Sequence, residues 1–179
     1  MTKKKINIAD YAGVIMEAIP KGVLLTTKNG DKVNSMSIGW GMIGYEWSTP
    51  IFTAFVRTGR FTHEQLTANP EFTVNIPYGE YDRGLVGYCG STSGRDTDKV
   101  TGSGMTLVEP EEISVPGIRE MPLTLECRVV YRQTQDEKGI DGKFSRYYPQ
   151  DVDSSCCGSN RDPHTAFYGE IVAAYIIED

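Results

Sequence analysis

Two patterns of apolar and polar residues alternate along this chain. The first is short runs of β-branched and apolar residues: Val23–Thr27, Val33–Ile38, Ile51–Val56, Phe72–Ile76 and Phe167–Ile177. Each is of strand length and bounded by turn residues. Lys28-Asn29-Gly30-Asp31 separates the first two, and Asn-Gly between two such runs predicts a β-hairpin. Ile51–Val56 is apolar throughout, which predicts burial on both faces. Leu123–Tyr131 alternates: Leu123, Leu125, Cys127, Val129 and Tyr131 face one way, Thr124, Glu126 and Arg128 the other. That spacing predicts a half-buried antiparallel strand. The second pattern is helical and brief. Tyr11–Ile19 reads as a helix capped by Asp10 and stopped by Pro20. Thr62–Ala68 reads as a helix with a Thr62/Gln65 capping box, ended by Asn69-Pro70. Tyr81–Cys89 is a third helical stretch, weakened by Gly84 and Gly87. Gly90–Gly94 is a loop, Gln135–Gly142 a polar turn, and Ser145–Asn160 irregular. Hairpin-joined strands and short helices, without βαβ units, predict a mainly β, antiparallel barrel.

The 179 residues fit one domain spanning 1–179. A formal net charge of −6 argues against nucleic acid, whose binding rests on neutralising phosphates. The basic run Lys3-Lys4-Lys5 reads as a solvated end. The apolar stretch Ile171–Ile177 is far short of the ~20 residues that a membrane-spanning helix needs, so no membrane partner is expected. Asp10 and Glu17 interrupt any signal-like apolar region. Cys89, Cys127, Cys156 and Cys157 show no metal-ligand spacing, and with these features predict a cytoplasmic protein without a metal. Cys156-Cys157 could form a strained vicinal disulfide, although two reduced loop thiols are the expectation.

One motif misleads. Gly39-Trp40-Gly41-Met42-Ile43-Gly44 has the G-x-G-x-x-G spacing of dinucleotide sites, and Glu64 follows at a suitable distance. That site requires a helix to open inside the motif, yet Tyr45-Glu46-Trp47-Ser48-Thr49-Pro50 follows. Pro50 and its aromatic, β-branched surroundings oppose a helix.

The densest chemistry lies in Asn34–Thr62. Arg57 and Arg60 flank Gly59 just before a helix start at Thr62. Guanidinium groups, a hydroxyl and a helix N-terminus are the parts of a phosphate site, and equally those of a solvated arginine pair beside an ordinary helix. Asn34, Ser35 and Ser37 carry groups suited to ligand hydroxyls, or to turn chemistry. Trp40 suits either a ring wall or a core. His63 and His164 read as structural, with a part for one of them in nicotinamide or flavin binding as the alternative, and no nucleophile–base arrangement emerges, so no catalytic residue is assigned.

Taken in order, Asn34-Ser35-Met36-Ser37-Ile38-Gly39-Trp40, Pro50, Arg57-x-x-Arg60-Phe61-Thr62 and Phe72-Thr73-Val74-Asn75 resemble the flavin reductase-like family. Ser93-Gly94-Arg95-Asp96-x-x-Lys99, Leu125-Glu126-Cys127 and His164–Ile171 extend the resemblance, which covers about Lys21 to Ile177. Flavoredoxins are the members it most resembles. The resemblance implies an antiparallel FMN-binding split β-barrel with short flanking helices, and a homodimer with FMN near the subunit interface. It implies that Asn34, Ser35, Met36, Ser37 and Trp40 run beside the flavin. Arg57, Arg60, Phe61 and Thr62 would meet its phosphate, and Lys99 would lie near the cofactor. Ala166 and Tyr168 stand where the family often has aliphatic residues. The implied activity is oxidoreduction, with NAD(P)H or a redox protein as electron donor. A non-enzymatic FMN electron carrier and a split-barrel binding module without redox activity are the alternatives.

Overall fold

A computed structural model of the protein describes residues 1–153 and 158–178. The Cys156-Cys157 pair therefore lies outside the described residues. In chain order the strands are β1 (Thr2–Lys5), β2 (Val23–Asn29), β3 (Lys32–Ile38), β4 (Gly41–Glu46), β5 (Thr49–Arg57), β6 (Glu71–Ile76), β7 (Leu107–Val108), β8 (Gly117–Ile118), β9 (Leu123–Thr134) and β10 (His164–Glu178). The helices are α1 (Ala12–Ala18), α2 (Phe61–Ala68), α3 (Arg83–Ser91) and α4 (Lys99–Ser103).

Eight strands form one sheet in the order β3-β2-β6-β9-β10-β5-β4, with β1 added to β10. Every pairing is antiparallel. β3 and β4 stand at opposite ends of this order, yet only Gly39 and Trp40 separate them in sequence. The sheet must therefore curl until its two ends approach, leaving an unpaired seam between them. The result is a barrel split along one line.

The β2–β3 hairpin forms as expected, with Asn29 opposite Lys32 and Gly30 at φ +57° in the turn. β4 was not expected. Its hairpin with β5 turns at Trp47 and Ser48, both left-handed, at φ +52° and +60°. Such turns normally signal themselves through Gly or Asn, which are absent here. The glycine motif thus becomes an edge strand, and the dinucleotide reading fails on structure as well as on context.

Three local expectations are corrected. Asn7, not Asp10, caps the first helical turn, and α1 begins at Ala12 without a side-chain cap. Arg60 occupies the N-cap position of α2 and makes no capping bond. Thr62 and Gln65 do not form a capping box. Thr62 Oγ1 accepts from Asn34 Nδ2, and Gln65 joins Thr27 and the Lys32 carbonyl. β9 is buried on both faces through Cys127, because a second layer covers its outer side. Glu126 is fully buried there, accepting from the Glu111 and Glu112 amides at 2.7 Å and from Tyr175 Oη at 2.8 Å. Three donors offset the cost of burying the carboxylate.

Inside the barrel, Leu25, Phe52, Phe72, Val74, Leu125 and Phe167 pack with Ile15 and Ile19 of the α1 region. On the outer face, Leu24 packs with Leu85 and Cys89 of α3 and with Ile118 and Met121. β2 thus serves both clusters, which explains its continuous apolar run. β10 passes very close to the barrel interior at Gly169. A Cβ built there would stand 2.5 Å from Phe72 Cζ and 2.8 Å from Cys127 Cβ. Gly169→Ala is expected to cost about 1–3 kcal/mol of stability through overpacking. An unchanged urea midpoint would show that the core yields freely at this point.

Candidate functional site

The seam of the barrel opens into a trough along β3. One end is built by Asn34, Met36 and Ser37, by Gly59–Thr62 at the start of α2, and by Thr92–Arg95 after α3. The other end carries Ile38–Trp40, Phe55 and Arg57 of β5, and His164 of β10. Met36, Ser37 and Arg60 line both ends, so the two concavities are continuous.

The first end holds an unusual acceptor. Asn34 is buried; its Nδ2 donates to Thr62 Oγ1 at 2.9 Å, while its Oδ1 has no hydrogen-bond partner among the described residues. A Cβ on Gly94 would fall 2.1 Å from that oxygen and 2.8 Å from Phe61 Cδ1. Only glycine lets the 92–95 loop close on Asn34 in this way. An orphaned buried acceptor carries a real cost unless a ligand donor meets it.

The cations divide into two groups. Arg60 donates from Nη2 to the Ser159 carbonyl at 3.0 Å. Arg95 donates from Nη1 to the Gly59 carbonyl at 3.1 Å, pairs with Glu64, and lies over the Phe61 ring. Both line or border the Asn34 end. Arg57 is committed elsewhere. Its Nη1 donates to the Asp162 carbonyl and its Nη2 to that of Tyr147, each at 2.7 Å, and its guanidinium stacks on Tyr148 at 4.9 Å. Burial lowers its pKa from the ordinary arginine value. Arg57 therefore straps the β9–β10 connection against the trough.

Lys99 opens α4 and is only 3% exposed, with Nζ donating to the carbonyls of Ser35 (2.9 Å) and Cys89 (2.8 Å). It borders the trough while stitching α4 to β3. Ser35 turns its hydroxyl to Thr26 Oγ1, at 3.1 Å, away from the trough. Asn34, Met36, Ser37, Trp40, Arg60, Phe61 and Thr62 thus come together along one wall, with Arg57, Ser35 and Lys99 behind or beside it.

Trp40 is not core: it is 39% exposed. Its ring meets Tyr147 edge-on at 5.3 Å and His164 at 4.8 Å. His164 is 6% exposed and its Nδ1 lies 3.0 Å from Tyr148 Oη. Burial, then the nearby charges of Arg57 and Arg60, lower its pKa to about 4, so it is neutral at physiological pH. His63 is half-buried, with Nε2 at 2.9 Å from Thr165 Oγ1. Sequence reasoning left Gly94, Arg95, Tyr147, Tyr148 and His164 out of the site. The Ser93-Gly94-Arg95 run was a signal for two of them. Among the described residues no His/Cys/Asp/Glu group could hold a metal, and no helix is long and apolar enough to cross a membrane.

Residues 16–179 match the model of the flavin reductase like domain, and the chain belongs to that family. A flavoredoxin structure from Methanosarcina acetivorans is 29% identical, with a TM-score of 0.61, over 88% of this chain and 68% of that one. An FMN-binding domain of a flavin reductases-like enzyme from Shewanella baltica superposes with a TM-score of 0.67 at 16% identity, covering 98% and 77% of the two chains. An uncharacterized protein of Archaeoglobus fulgidus is 28% identical over 130 residues, 73% of this chain and 69% of its own length. The split-barrel fold is shared across these flavin reductase-like structures.

Proposed function

We propose that residues 1–179 act as one unit that binds FMN non-covalently in the trough and serves as a flavin-dependent oxidoreductase. It would take electrons from a reduced donor, NAD(P)H or a redox protein, and pass them to an acceptor. The observation that carries this reading is Asn34 Oδ1, a buried acceptor without a partner at the floor of a cleft with arginines at its mouth. A ribityl hydroxyl is a donor of the right kind to satisfy it. Arg60, Arg95 and Thr62 would hold the phosphate, and Gly94 lets the loop approach closely. Trp40 and Met36 would flank the ring. Arg57 supports that wall through the carbonyls it holds. Bound flavin supplies the hydride and electron chemistry, and the chain's part is to anchor, orient and screen it.

FMN, rather than FAD, fits one compact cationic end with no second nucleotide cradle among the described residues. Heating the purified protein and chromatographing what is released should yield FMN; mainly FAD, or no flavin after reconstitution, would reject the assignment. Anaerobic bleaching of the flavin absorbance by NADH or NADPH would establish the donor. The similarity to a flavoredoxin favours a second reading, an electron carrier fed by another redox protein. Bleaching by neither nucleotide would favour it.

A homodimer accounts for a further feature. Met42, Tyr45 and Trp47 of the β4 hairpin and Val130 and Tyr131 of β9 are exposed, with Trp47 and Tyr131 ring centres 6.4 Å apart. The adjoining rings of Trp47, Tyr131 and Tyr168 make an aromatic patch that calls for a cover. Light scattering at micromolar concentration should give twice the chain mass, and a monomer with flavin bound would contradict the interface. Buried, free Cys89 and Cys127 accord with a cytoplasmic setting.

A further inference from the structure

The long connection between β9 and β10 returns to the trough at Tyr148, and there it meets His164. The backbones of Gln135 and His164, where β9 ends and β10 begins, are joined by a 2.9 Å hydrogen bond. Tyr148 Oη sits between the two side chains, donating to Gln135 Oε1 at 3.2 Å and lying 3.0 Å from His164 Nδ1. A phenol has one proton to give. With that proton on Gln135, Tyr148 Oη can only accept from the imidazole.

We propose that Tyr148 is a positioning residue that fixes the tautomer of His164: the proton is held on Nδ1, and Nε2 is left as a bare acceptor at the trough. Nε2 has no hydrogen-bond partner among the described residues, and His164 lines the trough beside Trp40 and Arg57. The groups facing this pair are the cations Arg57 and Arg60 and the carboxylate of Glu137, and the two arginines favour a neutral ring. In consequence, the His164 end of the trough recognises a ligand edge bearing N–H or O–H and disfavours one bearing only carbonyl oxygens. That consequence rests on the trough being the ligand site; the tautomer does not.

The test is ¹⁵N NMR of the imidazole nitrogens in the full-length protein without added ligand, near neutral pH. In the wild type, His164 Nδ1 should resonate as a protonated nitrogen and Nε2 as an unprotonated one. Gln135→Leu removes the acceptor and frees the Tyr148 proton to donate to Nδ1, so the His164 proton should move to Nε2. Tyr148→Phe keeps the ring beneath Arg57 but removes the oxygen, and should replace the single tautomer with a mixture. A wild-type Nε2–H tautomer would overturn the proposal, as would an unchanged tautomer in both variants. If Tyr148→Phe does not fold, Gln135→Leu decides alone. His164 NMR requires no flavin, so a failed tautomer prediction leaves the flavin assignment standing, and a failed flavin assignment leaves the tautomer result standing.

Discussion

Replacing Arg60 with alanine is expected to weaken FMN binding by about ten- to a hundred-fold while leaving riboflavin affinity nearly unchanged, the equivalent of about 1.5–3 kcal/mol for one charge-assisted contact. Riboflavin lacks the phosphate, so it reports on the rest of the site. Arg60 stands at the N-cap position of α2 with one of its nitrogens on the Ser159 carbonyl, which leaves the remainder of its fork for a ligand anion. Arg57 provides the contrast. Its two terminal nitrogens hold Asp162 and Tyr147 carbonyls, so Arg57→Ala should loosen the β9–β10 connection and weaken both flavins together. Trp40→Ala should also weaken both, since its contact would be with the ring. Fluorescence titration of two ligands on four proteins makes the comparison. Equal loss of FMN and riboflavin in Arg60→Ala would move the phosphate away from Arg60.

Stability should fall steeply as the pH drops below the ordinary histidine range. His164 titrates near 6.5 in an unfolded chain and at about 4 in the folded one. Between these values the unfolded state carries the extra proton, so acid favours unfolding. The stabilisation is complete above about pH 6.5 and lost progressively as the pH falls towards 4. The full loss is about 3 kcal/mol, and about 1.5 kcal/mol of it falls between pH 6.5 and 5. His63 is shifted in the same direction, again chiefly by burial. Glu71 and Asp98, both shifted down, begin to lose their contributions only as the pH falls through their ordinary values of 4.5 and 3.8, chiefly below the pH 5 end of the comparison. Urea denaturation at pH 6.5 and at about pH 5 measures the change, and His164→Gln should flatten it. An equal slope in wild type and variant would show that His164 is not the group responsible.

Features that depend on neighbours in sequence were legible beforehand. The β2–β3 hairpin follows from Asn29-Gly30 between β-branched runs, and the strand at 72–76 from its short apolar and β-branched run bounded by turn residues. Features that depend on distant partners were not. Thr62 and Gln65 have the spacing of a capping box, but Asn34 and Thr27, brought alongside by the sheet, take their side chains instead. Arg57 and Arg60 look equivalent in sequence; the structure separates them because Tyr147 and Asp162 come back to Arg57 from some ninety residues away or more. β4 was missed because its turn uses Trp47 and Ser48 where a glycine or asparagine would have announced it. Glu126, polar and alternating, suggested a wet face; its three donors come from a covering loop and from β10.

β10 lies between β9 and β5 and also pairs with β1 through Tyr175–Glu178. Until residues 164–178 exist, β3-β2-β6-β9 and β5-β4 are two separate ribbons with no hydrogen-bonded link between them. On the ribosome, the strands made before it must therefore wait with their ribbon edges open, and closure depends on residues 164–178. Pairings of such long sequence separation form slowly. The same feature sets what deletion does: removing β10 does not trim an edge but divides the barrel in two.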